Sequence, residues 1–307
     1  MAIHEFQRLC WRNIEMLCPA EWEMTFSSSP ADTPRIILSD RRYERLKMQW
    51  RQLSYTPELS RVIEKHQDEV EHVTILNSLP EGWYGTIAPC GSGSVIHAGK
   101  FFSKTKMLVE LILFWNKQRE KHIEEKIMES IHPVSSSVQS CLWEAMGMKV
   151  KIPSECTLSA FNAEAGQILW KFMYGDKKSK KEVIICRIAL LRAIFPQPDI
   201  SWEDLKAFIE SQANPRKSRI ARAESSTYNG HTAVRIVWLT IPDGMIKRLT
   251  GYKNKIVEVA WACPVEEKIY RLSIPFEDCH VLSEKLHVKC CGDRWKSTLY
   301  DKEQKGK

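Results

Sequence analysis

The sequence lacks any apolar run long enough to cross a bilayer. Its longest runs, Met107 to Trp115 and Val183 to Phe195, are broken by Glu110 and by Arg187 and Arg192. Neither reaches the roughly 18 to 20 residues that a spanning helix needs. The opening MAIHEFQRLCWRN does not run from a basic segment through an apolar stretch to a small-residue cleavage site, so it does not read as an export signal. Thirteen glycines and 14 prolines in 307 residues exclude a collagen-like or low-complexity chain. The ten cysteines are scattered from Cys10 to Cys291, several inside apolar runs such as Ile185-Cys186 and Ala262-Cys263. That is no disulfide scaffold; a reducing compartment keeps such thiols free, as small buried hydrophobes. The expectation is a cytoplasmic protein with free thiols and no membrane span.

Catalytic signatures are missing as well. There is no G-x-S-x-G, no H-E-x-x-H and no deaminase motif. Cys90-Gly91-Ser92-Gly93-Ser94 has the look of a phosphate loop, but Ile96 stands where G-x-G-x-x-G needs its third glycine, and no Gly-Lys-Ser/Thr follows. It reads instead as a hairpin turn between two strands. Cys263, Cys279-His280, His287 and Cys290-Cys291 are zinc-ligating residue types, yet no C-x-x-C or H-x₃₋₅-H spacing pairs them. A strand over Leu286–Cys291 would send His287 and Cys291 to one face and Cys290 to the other. The preferred reading is a packed strand with a terminal thiol pair, and a redox role for Cys263, Cys279, Cys290 and Cys291 stays open. His66 and His72 lie in or beside a charged stretch. His97 follows the glycine turn, and a lone histidine is usually structural. No catalytic residue, metal ligand or cofactor is assigned.

The chain has about twice the usual domain length, so two domains are expected. Charge divides unevenly between them. Residues 1–140 hold 17 basic and 18 acidic side chains, while the remainder carries 28 and 20. Besides a tail with Lys296, Lys302, Lys305 and Lys307, two clusters supply much of the excess: Lys177, Lys178, Lys180 and Lys181, then Arg216, Lys217, Arg219 and Arg222. These eight are the candidate binding residues, able to steer an acidic or phosphate-bearing partner. No aromatics interleave with the lysines as a single-strand platform would require. Trp22, Trp50, Trp83, Trp115, Trp170, Trp202, Trp238 and Trp261 fall in or beside predicted elements, as core residues do.

Periodicity supplies the elements. Leu46, Met48 and Trp50 alternate with polar residues, predicting a strand with one buried face. Met107 to Trp115 reads as a central strand. Helices are expected near 57–72 and 117–131, where Leu59, Val62, Ile63 and Val70, then Ile123, Ile127 and Ile131, recur at helical spacing. Pro19-x-x-Trp22 and Pro80-x-x-Trp83 each open a strand segment, suggesting an internal repeat. Ser135-Ser136-Ser137 beside Pro133 marks a linker. Beyond it, a strand near Thr157–Phe161 and a hairpin over Ile168–Tyr174 and Val183–Leu191 are expected. A helix introduced by Ser201-Trp-Glu-Asp204 follows, then strands Ser218–Ser226, Thr232–Thr240, Ile256–Cys263 and Ile269–Ile274. Asn229-Gly230 is a strong hairpin turn signal.

A Pro-x-x-Trp entry, an antiparallel sheet, a mid-domain helix, an Asn-Gly hairpin and the closing stretch Ile123–Ile131 resemble the PsbP-like fold. That group includes the photosystem extrinsic protein, Ran-binding Mog-type proteins and Eag-type chaperones. The resemblance covers roughly 18–132 and 148–292; the second stretch begins at Pro153 but has no tryptophan three residues later. It implies sheets with helices on both sides and binding without chemistry. The expected fold class is α+β: two tandem modules, each a mainly antiparallel sheet flanked by helices. Module boundaries are 1–133, a linker over 134–147, a more basic module over 148–292, and a basic tail over 293–307. The functional expectation is a non-catalytic protein-binding module, an adaptor or chaperone with a protein partner. A nucleic-acid or phosphate-binding accessory protein and an enzyme with a dispersed site are the alternatives.

Overall fold

A computed structural model describes residues 4–29, 31–64, 72–134, 140–176, 180–197, 199–214, 217–240 and 254–291. Their contacts divide into two compact units, 1–138 with 143–147, and 139–142 with 148–307.

The first unit opens with a hairpin of β1 (Phe6–Trp11) and β2 (Ile14–Pro19), joined by Arg12 and Asn13. Both turn residues have positive φ, 47° and 69°, the backbone that lets a two-residue turn follow the strand twist. Then come β3 (Glu23–Ser27), β4 (Arg35–Ser39), β5 (Glu44–Gln52), α1 (Leu59–Glu64), β6 (Thr74–Ile75), β7 (Trp83–Cys90), β8 (Gly93–Phe102) and β9 (Met107–Trp115). These seven strands form one antiparallel sheet ordered β3-β4-β5-β9-β8-β7-β6. Helix α2 (Lys121–Ser130) and β10 (His132–Pro133) follow, and β10 pairs with β2. The segments opened by the two Pro-x-x-Trp motifs thus share a single sheet, with β5 beside β9.

After β10, strands β11 (Ser140–Ala145) and β12 (Met148–Pro153) are joined by Met146-Gly147, again both at positive φ; residues 143–147 of this hairpin group with the first unit, and β12 belongs to the second. Next are β13 (Thr157–Glu164), β14 (Gln167–Tyr174), β15 (Lys181–Ile188), α3 (Leu191–Ile194), α4 (Trp202–Gln212), β16 (Ser218–Tyr228), β17 (His231–Thr240), β18 (Asn254–Cys263) and β19 (Lys268–Pro275). A 3₁₀ turn (Phe276–Asp278), α5 (Cys279–Lys285) and β20 (His287–Lys289) end the described chain, and β20 pairs with β12. The sheet order is β13-β14-β15-β19-β18-β17-β16. Strand for strand, this is the order of the first unit.

The fold is therefore mostly antiparallel β, which corrects the α+β expectation of sheets flanked by helices. Among the described residues only α2 and α4 exceed seven residues. In the first unit a strand hairpin, in a stretch for which the sequence predicts no element, contacts the sheet. Trp50 on β5 donates its indole N–H to the Arg12 carbonyl at 3.1 Å, and Trp11 on β1 donates to Ser27 Oγ at 3.0 Å. Helix α2 packs mainly on β2, burying Ile123, Ile127 and Met128. The expected helix over 57–72 runs from Leu59 to Glu64, and 65–71 lie outside the described residues. The stretch 134–147, read as a linker, contains β11 with buried Trp143 and Ala145; 135–139 lie outside the described residues, as does the tail 293–307.

In the second unit, Leu205 and Ile209 of α4 pack against Val234, Ile236, Ala260 and Ile269 on one sheet face. Alternation sends Trp170, Phe172, Ile185, Trp261 and Leu272 to the opposite face. There Trp261 lies between Tyr228 and Tyr270, with ring centroids at 3.9 and 5.3 Å. Ser201 and Asp204 form the capping box that starts α4. It satisfies two backbone N–H groups that would otherwise lack partners.

Candidate functional site

One end of the second unit's sheet gathers several of the candidate basic residues. Lys181 is the first residue of β15, and its ammonium lies 2.7 Å from Asp278 and 3.4 Å from Glu277. Tyr174 donates its hydroxyl hydrogen to Asp278 at 2.6 Å. Burial alone would raise the Asp278 carboxyl, but the hydrogen bonds from Lys181 and Tyr174 and the lysine's charge hold it below its ordinary range. Beyond Asp278, the exposed ring of Phe276 carries the Lys255 ammonium 5.4 Å from its centroid. Lys255 stands opposite Leu239 in the β17–β18 ladder, and Leu239 stands opposite Arg219 of β16. Lys255, Leu239 and Arg219 therefore form one cross-strand row on a single face.

A bulge extends that row along β16. Arg219 pairs with Leu239 and Arg222 with Val237, so Ala221 is the extra residue. Because Leu239 and Val237 are two apart, Arg219 and Arg222 project to the same face, which regular alternation would have prevented. Arg222 lies 2.6 Å from Glu224, whose other oxygen accepts from Arg235 at 2.6 Å. Lys217 and Lys180 are exposed. Lys177, Lys178 and Arg216 lie outside the described residues. Among the described residues nothing pairs with the outer edge of β16.

The cysteine and histidine candidates separate. Cys263, Cys290 and Cys291 come together, joined by His231, and their ligand atoms all lie within 4.8 Å of one another. Cys279, His280 and His287 fall outside that cluster. His231 follows the Asn229-Gly230 turn, whose φ values of 51° and 80° are those of a two-residue hairpin turn. The β17–β18 ladder ends at Ala233 and Trp261; His231 and Cys263 lie two residues beyond that pair, with their ligand atoms within 4.8 Å. Cys290 and Cys291 arrive after β20, held by two contacts: Val288 N–H donates to the Tyr228 hydroxyl at 3.0 Å, and the Asn229 amide donates to the Val288 carbonyl at 2.9 Å. His231 Nε2 lies 3.1 Å from Cys291 Sγ. Burial, followed by the neighbouring thiols of Cys263 and Cys290, pushes Cys291 up to about 12. The sequence signals were the Asn-Gly turn and the strand ending at Cys263; pairing them required the ladder register.

In the first unit, a cleft of about 170 Å³ opens beside α1, lined by residues that include Lys47, Gln49, Ile63, His97 and Glu110. Glu110 is buried, accepts from Gln49 at 3.2 Å and has Arg51 at 3.6 Å. Among the described residues the cleft's lining includes an acid, a histidine and a lysine but no serine, threonine or cysteine.

No family model matches the chain, and no curated protein matches it. Among solved structures, the chain is similar to one titled "The crystal structure of Tle4-Tli4 complex". Identity is 9% over 88% of this chain and 86% of that one, at a TM-score of 0.32. A likeness that low carries no argument. No described helix is long and apolar enough to cross a membrane.

Proposed function

We propose that this is a cytoplasmic, non-catalytic binding protein whose second unit captures an acidic protein partner. The observation that carries the reading is the row of Lys255 and Arg219 beside exposed Phe276, continued by Arg222 along an open edge strand. Aromatic and arginine side chains are the types that dominate binding energy at protein interfaces. Basic side chains and a bulge on an edge strand discourage pairing with a second copy, yet leave its backbone groups available to an acidic segment. An adaptor or chaperone role is what the PsbP-like resemblance implies for such a surface. Glu224 neutralises part of the strip, and among the described residues Phe276 is the one aromatic noted beside the row, which favours a protein over a nucleic acid.

The test is co-purification from the native host with the unaltered chain and with an Arg219→Glu/Lys255→Glu/Phe276→Ala variant. The reading expects a stoichiometric partner that the variant loses at unchanged melting temperature, with affinity falling as salt rises. A partner retained by the variant would place recognition elsewhere. Polynucleotide binding with a steep salt slope would favour the accessory-protein reading. Turnover abolished by His97→Ala or Glu110→Gln would favour an enzyme centred on the first unit's cleft.

A further inference from the structure

We propose that His231, Cys263, Cys290 and Cys291 form a structural zinc site. Three cysteines and one histidine are a standard tetrahedral zinc set, with zinc about 2.3 Å from sulfur and about 2.0 to 2.1 Å from nitrogen. Ligand atoms around such an ion stand roughly 3.5 to 3.8 Å apart, as those bond lengths require. Here all four fall within 4.8 Å of one another, and His231 Nε2 and Cys291 Sγ are 3.1 Å apart, so the four side chains are close enough to share one ion. The ligands are preplaced by elements the fold fixes independently. His231 and Cys263 each lie two residues past the last β17–β18 pair, and Tyr228 and Asn229 hold the segment that delivers the two last cysteines. Cys263 and Cys290 are buried, whereas His231 and Cys291 are partly exposed, giving the ion a path in.

Binding converts three thiols to thiolates and releases three protons to solvent, with no change in oxidation state. All four positions are filled by protein, so the ion has no open position for substrate water. Its role is to fasten the segment after β20 to the sheet. The missing C-x-x-C spacing is no obstacle, because the ligands come from one hairpin, one strand end and one dipeptide brought together by tertiary structure. This inference does not depend on the proposed partner surface, because the bulge of β16 and the row at Lys255 lie at the other end of the β17–β18 ladder.

The test uses the full chain, purified under reducing conditions without a metal-affinity tag. Elemental analysis should find about one zinc per chain. Replacement of that zinc by cobalt should give the intense absorption of tetrahedral thiolate-bound cobalt. Chelation should expose the segment around Leu286–Cys291 to protease and to hydrogen exchange. His231→Ala and Cys290→Ser should weaken zinc binding on the order of 100-fold or more, the scale seen when even supporting residues of a zinc site are lost. Cys279→Ser, outside the cluster, should leave it unchanged. Three results overturn the proposal: a reduced chain that binds neither zinc nor cobalt at stoichiometric concentration, variants that retain zinc, and an intact mass showing a disulfide among these cysteines in the chain as isolated. The cobalt spectrum of the unaltered chain decides the matter even if a variant fails to fold.

Discussion

Trp22 and Cys156 occupy the same step of the same fold. Each donates its backbone N–H to the carbonyl of a proline three residues earlier, Pro19 and Pro153, at 3.0 Å. Each precedes the edge strand of a seven-stranded sheet, and both edge strands carry a bulge at equivalent places, Met24/Phe26 and Leu158/Ala160. The hairpins before them match as well, six residues, a two-residue turn and six residues in both cases. The backbone is repeated while the packing has diverged. Trp22 meets Trp115 at 6.3 Å, whereas Cys156 is a small buried thiol that burial pushes up to about 12.

A repeated fold predicts two cooperative units. Limited proteolysis should cut between residues 134 and 140, where the serine run lies, and yield two fragments. Each fragment should unfold in one cooperative transition, because each retains a complete seven-stranded sheet. Resistance at that segment combined with a single transition for the whole chain would mean that the units fold as one body.

Gly93 should tolerate no side chain. A β-carbon there would come within 1.6 Å of the Trp115 carbonyl oxygen and 2.6 Å of its carbon, whereas one at Gly91 meets nothing within 4 Å. Gly93→Ala must displace the β8–β9 ladder, and a cost of about 3 kcal/mol or more is expected from forced backbone movement in a packed strand. Gly91→Ala should cost about 1 kcal/mol, from its positive φ alone. Urea denaturation of the two variants separates them. Equal effects would contradict this close approach. Gly93 therefore serves strand packing and Gly91 the positive φ of the turn, which agrees with the hairpin-turn reading and not with a phosphate cradle.

Much of the strand pattern was legible because one buried face alternates with one wet face. Leu46, Met48 and Trp50 announce β5, and Asn229-Gly230 announces the turn that aligns β16 with β17. The opening hairpin was not legible, because Arg12-Asn13 carries no glycine and a six-residue strand gives little periodicity to read. Helices were overweighted because the resemblance set them on both sides of each sheet, whereas among the described residues only α2 and α4 exceed seven residues. The candidate sites failed differently. Spacing along the chain says nothing about His231 meeting Cys263, because that contact depends on ladder register across a turn. The shared face of Arg219 and Arg222 depends on a bulge, which composition does not announce.

Asp278 makes part of the second unit's acid stability depend on its own charge. Its folded-state pKa lies below the ordinary value, so the ionised form stabilises the fold above the unfolded pKa of about 3.9. That contribution fades as pH falls through the folded value. Asp278→Asn should therefore lower the urea midpoint at pH 7, and the gap from the unaltered chain should close as pH drops below about 4. A gap that stays constant down to pH 2 would show that the loss comes from packing and not from the charge.

The lysines of the β14–β15 hairpin should not be equivalent, although they are contiguous in sequence. Lys180 is exposed, and reversing its charge should change stability by less than about 0.5 kcal/mol, as at most surface positions. Lys181 lies between two carboxylates, 2.7 Å from Asp278 and 3.4 Å from Glu277. Lys181→Glu removes both attractions and sets a third negative charge beside them. An isolated surface pair contributes up to about 1 kcal/mol, and the added repulsion brings the expected loss to about 1 to 2 kcal/mol. The electrostatic origin has its own signature, since added salt should narrow the difference between Lys181→Glu and the unaltered chain. Lys181→Met keeps the aliphatic stem without the charge and should fall between the two. If all three substitutions leave the thermal midpoint unchanged, Lys181 is a solvated lysine like its neighbour, and the Asp278 carboxylate must be held down by Tyr174 alone.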